Sequence, residues 1–333
     1  MTKEDFFKQD RSPISAVSDN CEPYLIYRQN DTNQIIYEFV VNAGIDETVE
    51  IGMVSDIHFN YANEKDLDDE EICDTLQNRI WLKDGESVPS AVSALKGASL
   101  LDQTVVCGDT LDFLSNGAMD LMRKHVFEPY PNAICVLGGH ELTKQMQTGK
   151  PDRLPLKKRI KILEDFWCHD AHYYSRLLKD KVLCVGVDNS TGHYHKSVAK
   201  KLKKDLRFAR KNGYVVLIFQ HEPINTYNPN YKVVDAILVG DPSGARRNAF
   251  DSKDCIGSPL HDDRHDKKVL SLILNNADVV KGVFAGHWHN LYYLEINAVT
   301  KNGTPSTIPQ VVVPSNAYSY DGSCGQITRI IVK

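Results

Sequence analysis

Short apolar runs that end in Asp or His recur along the chain. Residues 105–107 form one such run, and it leads directly into Gly108 and Asp109. Runs of this length, rich in β-branched residues, predict buried strands. Four further runs end in the same way, before Asp56 and His58, before His140, before His221, and before His287 and His289. Because ligands in open α/β sheets collect at the carboxyl ends of strands, the five endings predict one site built from distant segments.

Helical patterns alternate with these strands. The first strand of the main sheet is expected at residues 48–55, and residues 90–101 and 117–127 are expected to form the helices that lead to the next two strands. Such alternation predicts an α/β fold, with a parallel or mixed sheet covered by helices. Closing strands near residues 291–296, 309–313 and 327–332 are expected to complete a second sheet that packs on the first.

The two ends of this domain are marked by different patterns. Residues 1–47 are predicted to form a polar lead-in and a β-hairpin cap, since residues 23–27 and 35–41 are rich in β formers and flank a polar turn. Residues 48–333 are predicted to form the main domain. It carries a long insertion at about residues 225–266, whose three prolines and weak periodicity are typical of a functional lid or a disordered loop.

Composition narrows the classes of partner. The chain has 333 residues, of which 42% are hydrophobic, and a formal net charge of -5. No excess of Lys and Arg exists to neutralise phosphates, which argues against a general affinity for nucleic acid or an anionic membrane. The first residues are charged where a secretory signal needs an apolar stretch. We therefore expect an unexported, cytoplasmic protein.

The eight cysteines are widely spaced and contain no CxxC pair. This spacing predicts reduced thiols and indicates neither a disulfide framework nor a zinc knuckle. Cys107, Cys135 and Cys184 fall inside apolar runs, where a thiol is expected to pack as a small hydrophobic group.

Three charged features have ordinary structural explanations. The acidic segment at residues 64–71 is expected to be a solvated helix start rather than a cation site. Residues 199–211 carry seven Lys or Arg and are expected to form a solvated amphipathic helix rather than a nucleic-acid patch. His261 and His265 have the i, i+4 spacing of metal ligands, but the zincin Glu is missing, which favours a charged helix start.

Taken together, five blocks carry the candidate chemistry: Asp56-x-His58, Gly108-Asp109-Thr110-Leu111-Asp112, Gly138-Gly139-His140-Glu141, His221, and Gly286-His287-Trp288-His289. Their order and residue types resemble the calcineurin-like metallophosphoesterase family, whose pattern is DxH, GDxxD, GNH(D/E), H and GHxH. The resemblance spans about residues 50–290. It implies an α/β/β/α sandwich of two mixed sheets flanked by helices, with two metal ions at the sheet edge.

The resemblance also implies a set of metal ligands. Asp56, His58 and His289 would bind the first ion, His221 and His287 the second, and Asp109 would bind both. Carboxylate and imidazole ligands suit divalent or trivalent transition-metal ions such as Mn, Fe or Zn, and one carboxylate can bridge two ions about 3.5–4 Å apart. Such a pair would activate a shared water for in-line attack on phosphorus.

Two further residues match family positions. His140 would approach the substrate and stabilise the transition state or protonate the leaving oxygen. Asp112 would orient His140, because catalytic histidines need a partner for the second ring nitrogen.

One position departs from the family pattern. Gly139 stands where the family has Asn, which supplies an amide oxygen to the second metal. The second ion would then have three protein ligands and rely on water, Glu141 or a backbone carbonyl. We expect weaker binding of the second metal and reduced turnover.

The resemblance implies a dinuclear-metal phosphoesterase that hydrolyses phosphate mono- or diesters. Family members that dephosphorylate proteins continue GDxxD with Arg-Gly, whereas this chain has Phe113-Leu114. The expected substrate is a phosphorylated small molecule, whether a nucleotide, a metabolite or a lipid head group. Contacts are expected from the insertion, at Tyr227, Tyr231, Arg246 and Arg247. The alternative is a catalytically impaired metal-binding scaffold of the same fold. Gly139 is the residue that supports this alternative, because it offers no side-chain ligand.

Overall fold

The computed structural model describes residues 11–13, 24–29, 34–79, 82, 85–224, 237–238, 263–289, 291–317 and 325–333. The insertion predicted at residues 225–266 lies mostly outside these ranges, as do its expected substrate contacts, Tyr227, Tyr231, Arg246 and Arg247, and also His261. Within the described ranges, no helix combines the length and the apolar character that crossing a bilayer requires.

The described strands, numbered in chain order, form two seven-stranded sheets. They are β1 (Arg11–Pro13), β2 (Tyr24–Gln29), β3 (Ile35–Val41), β4 (Val49–Val54), β5 (Gln103–Cys107), β6 (Ile134–Val136), β7 (Tyr173–Leu178), β8 (Val182–Val187), β9 (Val215–Phe219), β10 (Ile237–Leu238), β11 (Val280–Ala285), β12 (Tyr292–Val299), β13 (Pro305–Val312) and β14 (Gln326–Val332). The first sheet has the order β1-β2-β3-β14-β4-β5-β6, and the second has the order β10-β12-β13-β11-β9-β8-β7.

Helices cover the outer face of each sheet. The described α-helices are α1 (Glu70–Asn78), α2 (Val88–Ala98), α3 (Asn116–Met122), α4 (Leu156–Phe166), α5 (Val198–Asn212) and α6 (Arg264–Leu274). Buried residues of α2, α3 and α4 pack on the first sheet, and those of α5 and α6 pack on the second. A third apolar cluster fills the space between the sheets. The predicted α/β/β/α sandwich of two mixed sheets is therefore confirmed.

The alternation along β9 shows why these strands are apolar throughout. Val216 and Ile218 pack toward the helix layer, whereas Val215, Leu217 and Phe219 lie in the cluster between the sheets. Successive side chains of a strand point to opposite faces, so a strand covered on both sides must be apolar at every position.

The predicted elements are largely found. Residues 35–41 pair with β2 as an antiparallel hairpin that extends the edge of the first sheet. The acidic segment leads into α1 with Asp69 as its N-cap, and the basic segment forms α5, which buries Leu202 and Leu206. Asp263 caps α6 beside the exposed His265, as expected for a charged helix start.

The position of the last strand differs from the prediction. Residues 327–332 were expected in the second sheet, but β14 lies in the first, parallel to β3 and antiparallel to β4. Its two faces are both apolar, since Ile327 packs under the helices and Ile330 packs between the sheets. A strand with this pattern fits the middle of a covered sheet. Its neighbours in the sequence, β12 and β13, do pair in the second sheet.

Candidate metal centre

The carboxyl ends of strands from both sheets meet at one edge of the sandwich. Parallel pairing of β4, β5 and β6 aligns the ends that carry Asp56 and His58, then Asp109, then His140. Parallel pairing of β9 and β11 does the same for His221 and for the turn that holds His287 and His289. Ligand atoms lie within 4.8 Å of one another in three groups: Asp56–His58–His289, His58–Asp109–His140, and Asp109–His221–His287.

In the first group, two imidazole nitrogens face each other. His58 Nε2 and His289 Nε2 are 3.2 Å apart, and His289 Nε2 is 3.4 Å from Asp56 Oδ1. The Asp112 carboxylate lies 2.9 Å from His58 Nδ1 and can only accept from it, so the Nε2 of a neutral His58 carries a lone pair. Two imidazole nitrogens and a carboxylate that converge in this way form a donor set that suits a cation.

In the last group, a nitrogen donor faces a carboxylate. His221 Nδ1 donates to the carbonyl oxygen of Cys107 at 3.1 Å, which leaves Nε2 as the free ring nitrogen, 3.0 Å from Asp109 Oδ2. This Nε2 is buried, and its contact with Asp109 Oδ2 does not have hydrogen-bond geometry. Burial lowers the pKa of His221, but the carboxylates of Asp109 and Asp56 outweigh it and raise that pKa to about 10. The surroundings of His221 therefore favour a positive charge, and its Nε2 is the ring nitrogen that could bind a metal ion.

The backbone is strained where it presents these side chains. Of the eight non-glycine residues with positive φ in the described part of the chain, five belong to the three groups: Asp56, His58, Asp109, His287 and His289. Left-handed backbone is uncommon for such residues and concentrates at functional sites.

Three glycines let the ligand loops approach closely. A Cβ at Gly108 would lie 2.2 Å from His221 Nδ1, one at Gly138 would lie 2.2 Å from Asp109 Oδ1, and one at Gly286 would lie 2.0 Å from Ser55 Oγ. No larger residue fits at these three positions without displacing a ligand loop.

Asp112 connects two histidines to a residue that the sequence reasoning missed. Its Oδ1 lies 2.9 Å from His58 Nδ1 and 3.4 Å from His140 Nδ1. Arg79, at the end of α1, donates from Nε to Asp112 Oδ2 at 2.7 Å and from a second guanidinium nitrogen to Oδ1. Burial raises the pKa of Asp112, but the bonds from Arg79 and the histidines outweigh it and hold that pKa well below its usual range.

His140 stands at the rim of the cluster. Its Nδ1 donates to the backbone oxygen of Asp112 at 2.8 Å, and its Nε2 lies 3.8 Å from Asp109 Oδ2. The side chain is 23% exposed, whereas His58 and His221 are 1% exposed. The backbone of Asp112 thus orients His140 more closely than the carboxylate that was expected to do so.

Glu141 is committed to the backbone. Its Oε1 accepts from the amides of Thr110 and Leu111, and its Oε2 accepts from the amide of Gly138. Burial and the nearby Asp109 carboxylate raise its pKa to about 7. Both oxygens therefore brace the loops after β5 and β6, and a role for Glu141 as a second-metal ligand stays a prediction.

Gly139 differs from the three glycines that leave no room. Its backbone is right-handed helical, and a Cβ would meet only the carbonyl oxygen of Ser190, at an ordinary 3.5 Å. The local structure therefore admits a side chain here, so the absence of Asn is a property of the sequence rather than of the fold.

Comparisons with protein-family models and with curated proteins found no match. Three solved structures share 12% identity with the chain: a putative 5'-nucleotidase from Staphylococcus aureus in complex with alpha-ketoglutarate, a dimetal phosphatase from Danio rerio, and a purple acid phosphatase from yellow lupin (Lupinus luteus) seeds. Their TM-scores are 0.35, 0.42 and 0.41, and the matches cover 83%, 82% and 88% of this chain.

The same matches cover 56%, 89% and 49% of the solved chains, so this chain spans about half the length of two of them. At TM-scores this low, the likeness carries no argument about the site. The resemblance to a family rests instead on the sequence motifs and on the observed two-sheet sandwich. In the order of its five motifs and in its two-sheet architecture, this chain resembles the calcineurin-like metallophosphoesterases.

Proposed function

We propose that the protein is a metal-dependent phosphoesterase that hydrolyses phosphate mono- or diesters. The observation that carries the proposal is the position of Asp109 between two sets of ligands. Its carboxylate belongs to a group with His221 and His287 and to a group with His58 and His140. His58 in turn belongs to the group with Asp56 and His289.

The donor set supports two ions that share Asp109. Asp56, His58 and His289 would hold one ion, and His221 and His287 would hold the other. Mixed carboxylate and imidazole ligands suit Mn, Fe or Zn. When bound, the ions would supply Lewis-acid charge that lowers the pKa of water and neutralises phosphate oxygens.

His140 would act on the substrate itself. Its Nδ1 is fixed by the backbone oxygen of Asp112, and its partly exposed ring lies beside the ligands. A protonated ring would therefore direct Nε2–H toward the leaving oxygen or toward charge that develops on phosphate. Asp112 would position His58 and His140 together.

The substrate class follows from charge and from the sequence. The net charge of -5 offers no general surface for a polyanion. We infer a phosphorylated small molecule, whether a nucleotide, a metabolite or a lipid head group, as the substrate. We also propose that residues 48–333 form the catalytic domain and that the protein acts in the cytoplasm.

Gly139 favours a second candidate, a metal-binding scaffold with impaired catalysis. A glycine offers no side-chain ligand to the second ion, and both oxygens of Glu141 already accept hydrogen bonds from backbone amides. The retained His140 and Asp112 favour the enzyme.

The experiment compares hydrolysis of p-nitrophenyl phosphate and bis(p-nitrophenyl) phosphate by protein reconstituted with Mn²⁺. We expect His140→Ala to lose at least about 100-fold in rate while it retains its metal content. His265→Ala, at an exposed histidine of α6, is the matched control and should remain active. Equal rates for His140→Ala and the unmodified protein would favour the scaffold.

A further inference from the structure

A separate group of soft ligands lies on the outer edge of the first sheet. Cys135 Sγ, Cys168 Sγ and a ring nitrogen of His169 all lie within 4.8 Å of one another. Cys135 belongs to β6, whereas Cys168 and His169 lie in the connection from α4 to β7. We propose that these three side chains bind a thiophilic metal ion, with Zn²⁺ as the ion that best matches the donors.

The imidazole is already in the form that a metal requires. His169 Nδ1 donates to the backbone oxygen of Asp170 at 3.0 Å, and Nε2 accepts from the amide of Cys135 at 3.1 Å. The lone pair is therefore on Nε2 and faces β6. The ring also stacks on Tyr174, with centroids 4.1 Å apart and planes 16° apart. A hydrogen bond that fixes the tautomer is a common support of metal-binding histidines.

The connection from α4 to β7 is held against β6 on both sides of Cys135. His169 takes the amide of Cys135, and Trp167 Nε1 donates to its carbonyl oxygen at 3.3 Å. These contacts cover the edge of β6, which has a strand neighbour on one side only. They also hold the two thiols close together. A metal bound by these thiols would replace the amide of Cys135 as the partner of Nε2.

The two thiols differ in environment. Cys135 is 3% exposed, whereas Cys168 is exposed to solvent. Two thiolates and one imidazole are ligands typical of zinc, and the exposed side leaves a fourth position for water.

This group differs chemically from the metal centre. The proposed ligands of that centre are carboxylates and imidazoles, with no thiol among them. A metal at Cys135 would tie β6, the strand that leads to His140, to the connection after α4. Cys135 is distant in sequence from the adjacent Cys168 and His169, and the thiols lack CxxC spacing, which is why the sequence predicted only isolated thiols.

The test uses the full-length protein, reduced with a phosphine, stripped of metal and titrated with Co²⁺. Thiolate ligands give Co²⁺ a near-ultraviolet charge-transfer band that carboxylate and imidazole ligands do not. We expect the band to reach its maximum when the thiolates of each chain have bound one Co²⁺. It should disappear when Zn²⁺ is added and replaces that Co²⁺. Co²⁺ bound at the carboxylate and imidazole centre would not contribute to it.

Variants locate the signal. Cys168→Ser changes an exposed residue and should abolish the band, as should Cys135→Ser if it folds. His169→Gln should weaken Co²⁺ binding by at least about 100-fold, since a lost ligand costs more than a lost supporting residue. Cys73→Ser, at a partly buried cysteine of α1, is the control and should keep the band.

Two outcomes would overturn the proposal. One is the absence of a charge-transfer band in the reduced protein. This holds even if peroxide then oxidises Cys135 and Cys168 to a disulfide, which would show only that the thiols are close together. The other is a band that survives in Cys168→Ser. Neither outcome depends on phosphoester hydrolysis.

Discussion

The two halves of the metal centre are built by different means. The half from the first sheet, with Asp56, His58 and Asp109, is supported by buried charged side chains, of which Arg79 and Asp112 are the main pair. The half from the second sheet, with His221, His287 and His289, is held mainly by the backbone. His221 Nδ1 donates to a carbonyl oxygen, and the amide of His287 donates to Asp56 at 3.0 Å.

This difference predicts how each half responds to substitution. A charged network transmits the loss of one member to several ligands, because each carboxylate contacts more than one partner. A ligand held by backbone contacts depends on the turn that carries it, as the bond from the amide of His287 to Asp56 indicates. Asp109 is the residue on which the two halves meet.

The largest effect is expected from Asp109→Asn. An amide replaces the carboxylate that faces His221 at 3.0 Å and His140 at 3.8 Å. We expect the protein to lose at least one bound ion and about 1,000-fold or more of its phosphoesterase rate. Elemental analysis and the p-nitrophenyl assays measure the two losses. Two retained ions with an unchanged rate would show that Asp109 does not join the halves.

The next largest effect is expected from Arg79→Met. Removal of the guanidinium leaves the buried Asp112 carboxylate without its strongest partner, which costs about 3–5 kcal/mol of stability. His58 also loses a rigid support, so metal affinity should fall about 10–100-fold. Urea unfolding and metal titration measure these quantities. Arg79→Lys keeps the charge but loses the bidentate contact. Its stability and metal affinity should lie between those of Arg79→Met and the unmodified protein. Unchanged metal affinity in Arg79→Met would contradict the supporting role.

A gain is expected from Gly139→Asn. The fold has room for the side chain, since the nearest atom to a Cβ is 3.5 Å away. An added amide oxygen should raise affinity for the second ion or the hydrolysis rate by about tenfold. Gly139→Ala is the control that adds the Cβ without a ligand, and it should give no gain. If neither quantity rises in Gly139→Asn, Gly139 is not the cause of a weak second site.

The smallest effect is expected far from the metal centre, at Asp278→Asn. Arg210 on α5 holds Asp278 with bonds of 2.7 and 2.9 Å just before β11, and the hydrogen bond lowers the pKa of Asp278 below 3.8. A depressed carboxylate pKa stabilises the fold above the unfolded value, and that contribution is lost as pH falls through the folded value.

Because both side chains of this pair are about 30% exposed, the loss at neutral pH should be only about 0.5–1 kcal/mol. It should shrink as the pH falls below 3.8, with metal content unchanged. Asp165→Asn, from a more exposed pair with Lys161, is the control and should cost less. A stability difference that grows toward acid pH would contradict the sign.

The sequence predicted those parts of the fold that local pattern controls. The runs that end in Asp56, Asp109 and His221 are strands because each is mostly apolar and buried at every position, and parallel pairing within each sheet aligns their endings. The sheet that receives β14 is a long-range choice, since its apolar pattern satisfies either sheet. Sequence order alone therefore placed β14 wrongly.

Contacts between side chains were the other feature that the sequence could not predict. Arg79 follows the last residue of α1 and belongs to no motif, and only the path of α1 brings it to Asp112. Glu141 matched a family position, but its backbone partners are visible only once the loops after β5 and β6 are placed. The proximity of Cys135 to Cys168 depends in the same way on the connection after α4.

Anomalous diffraction from crystals soaked in Mn²⁺ tests the central claim most directly. The account predicts two Mn²⁺ peaks per chain at the sheet edge, one touched by Asp56, His58 and His289 and the other by His221 and His287, with the Asp109 carboxylate contacting both. A single peak, or two peaks of which only one touches Asp109, would contradict it.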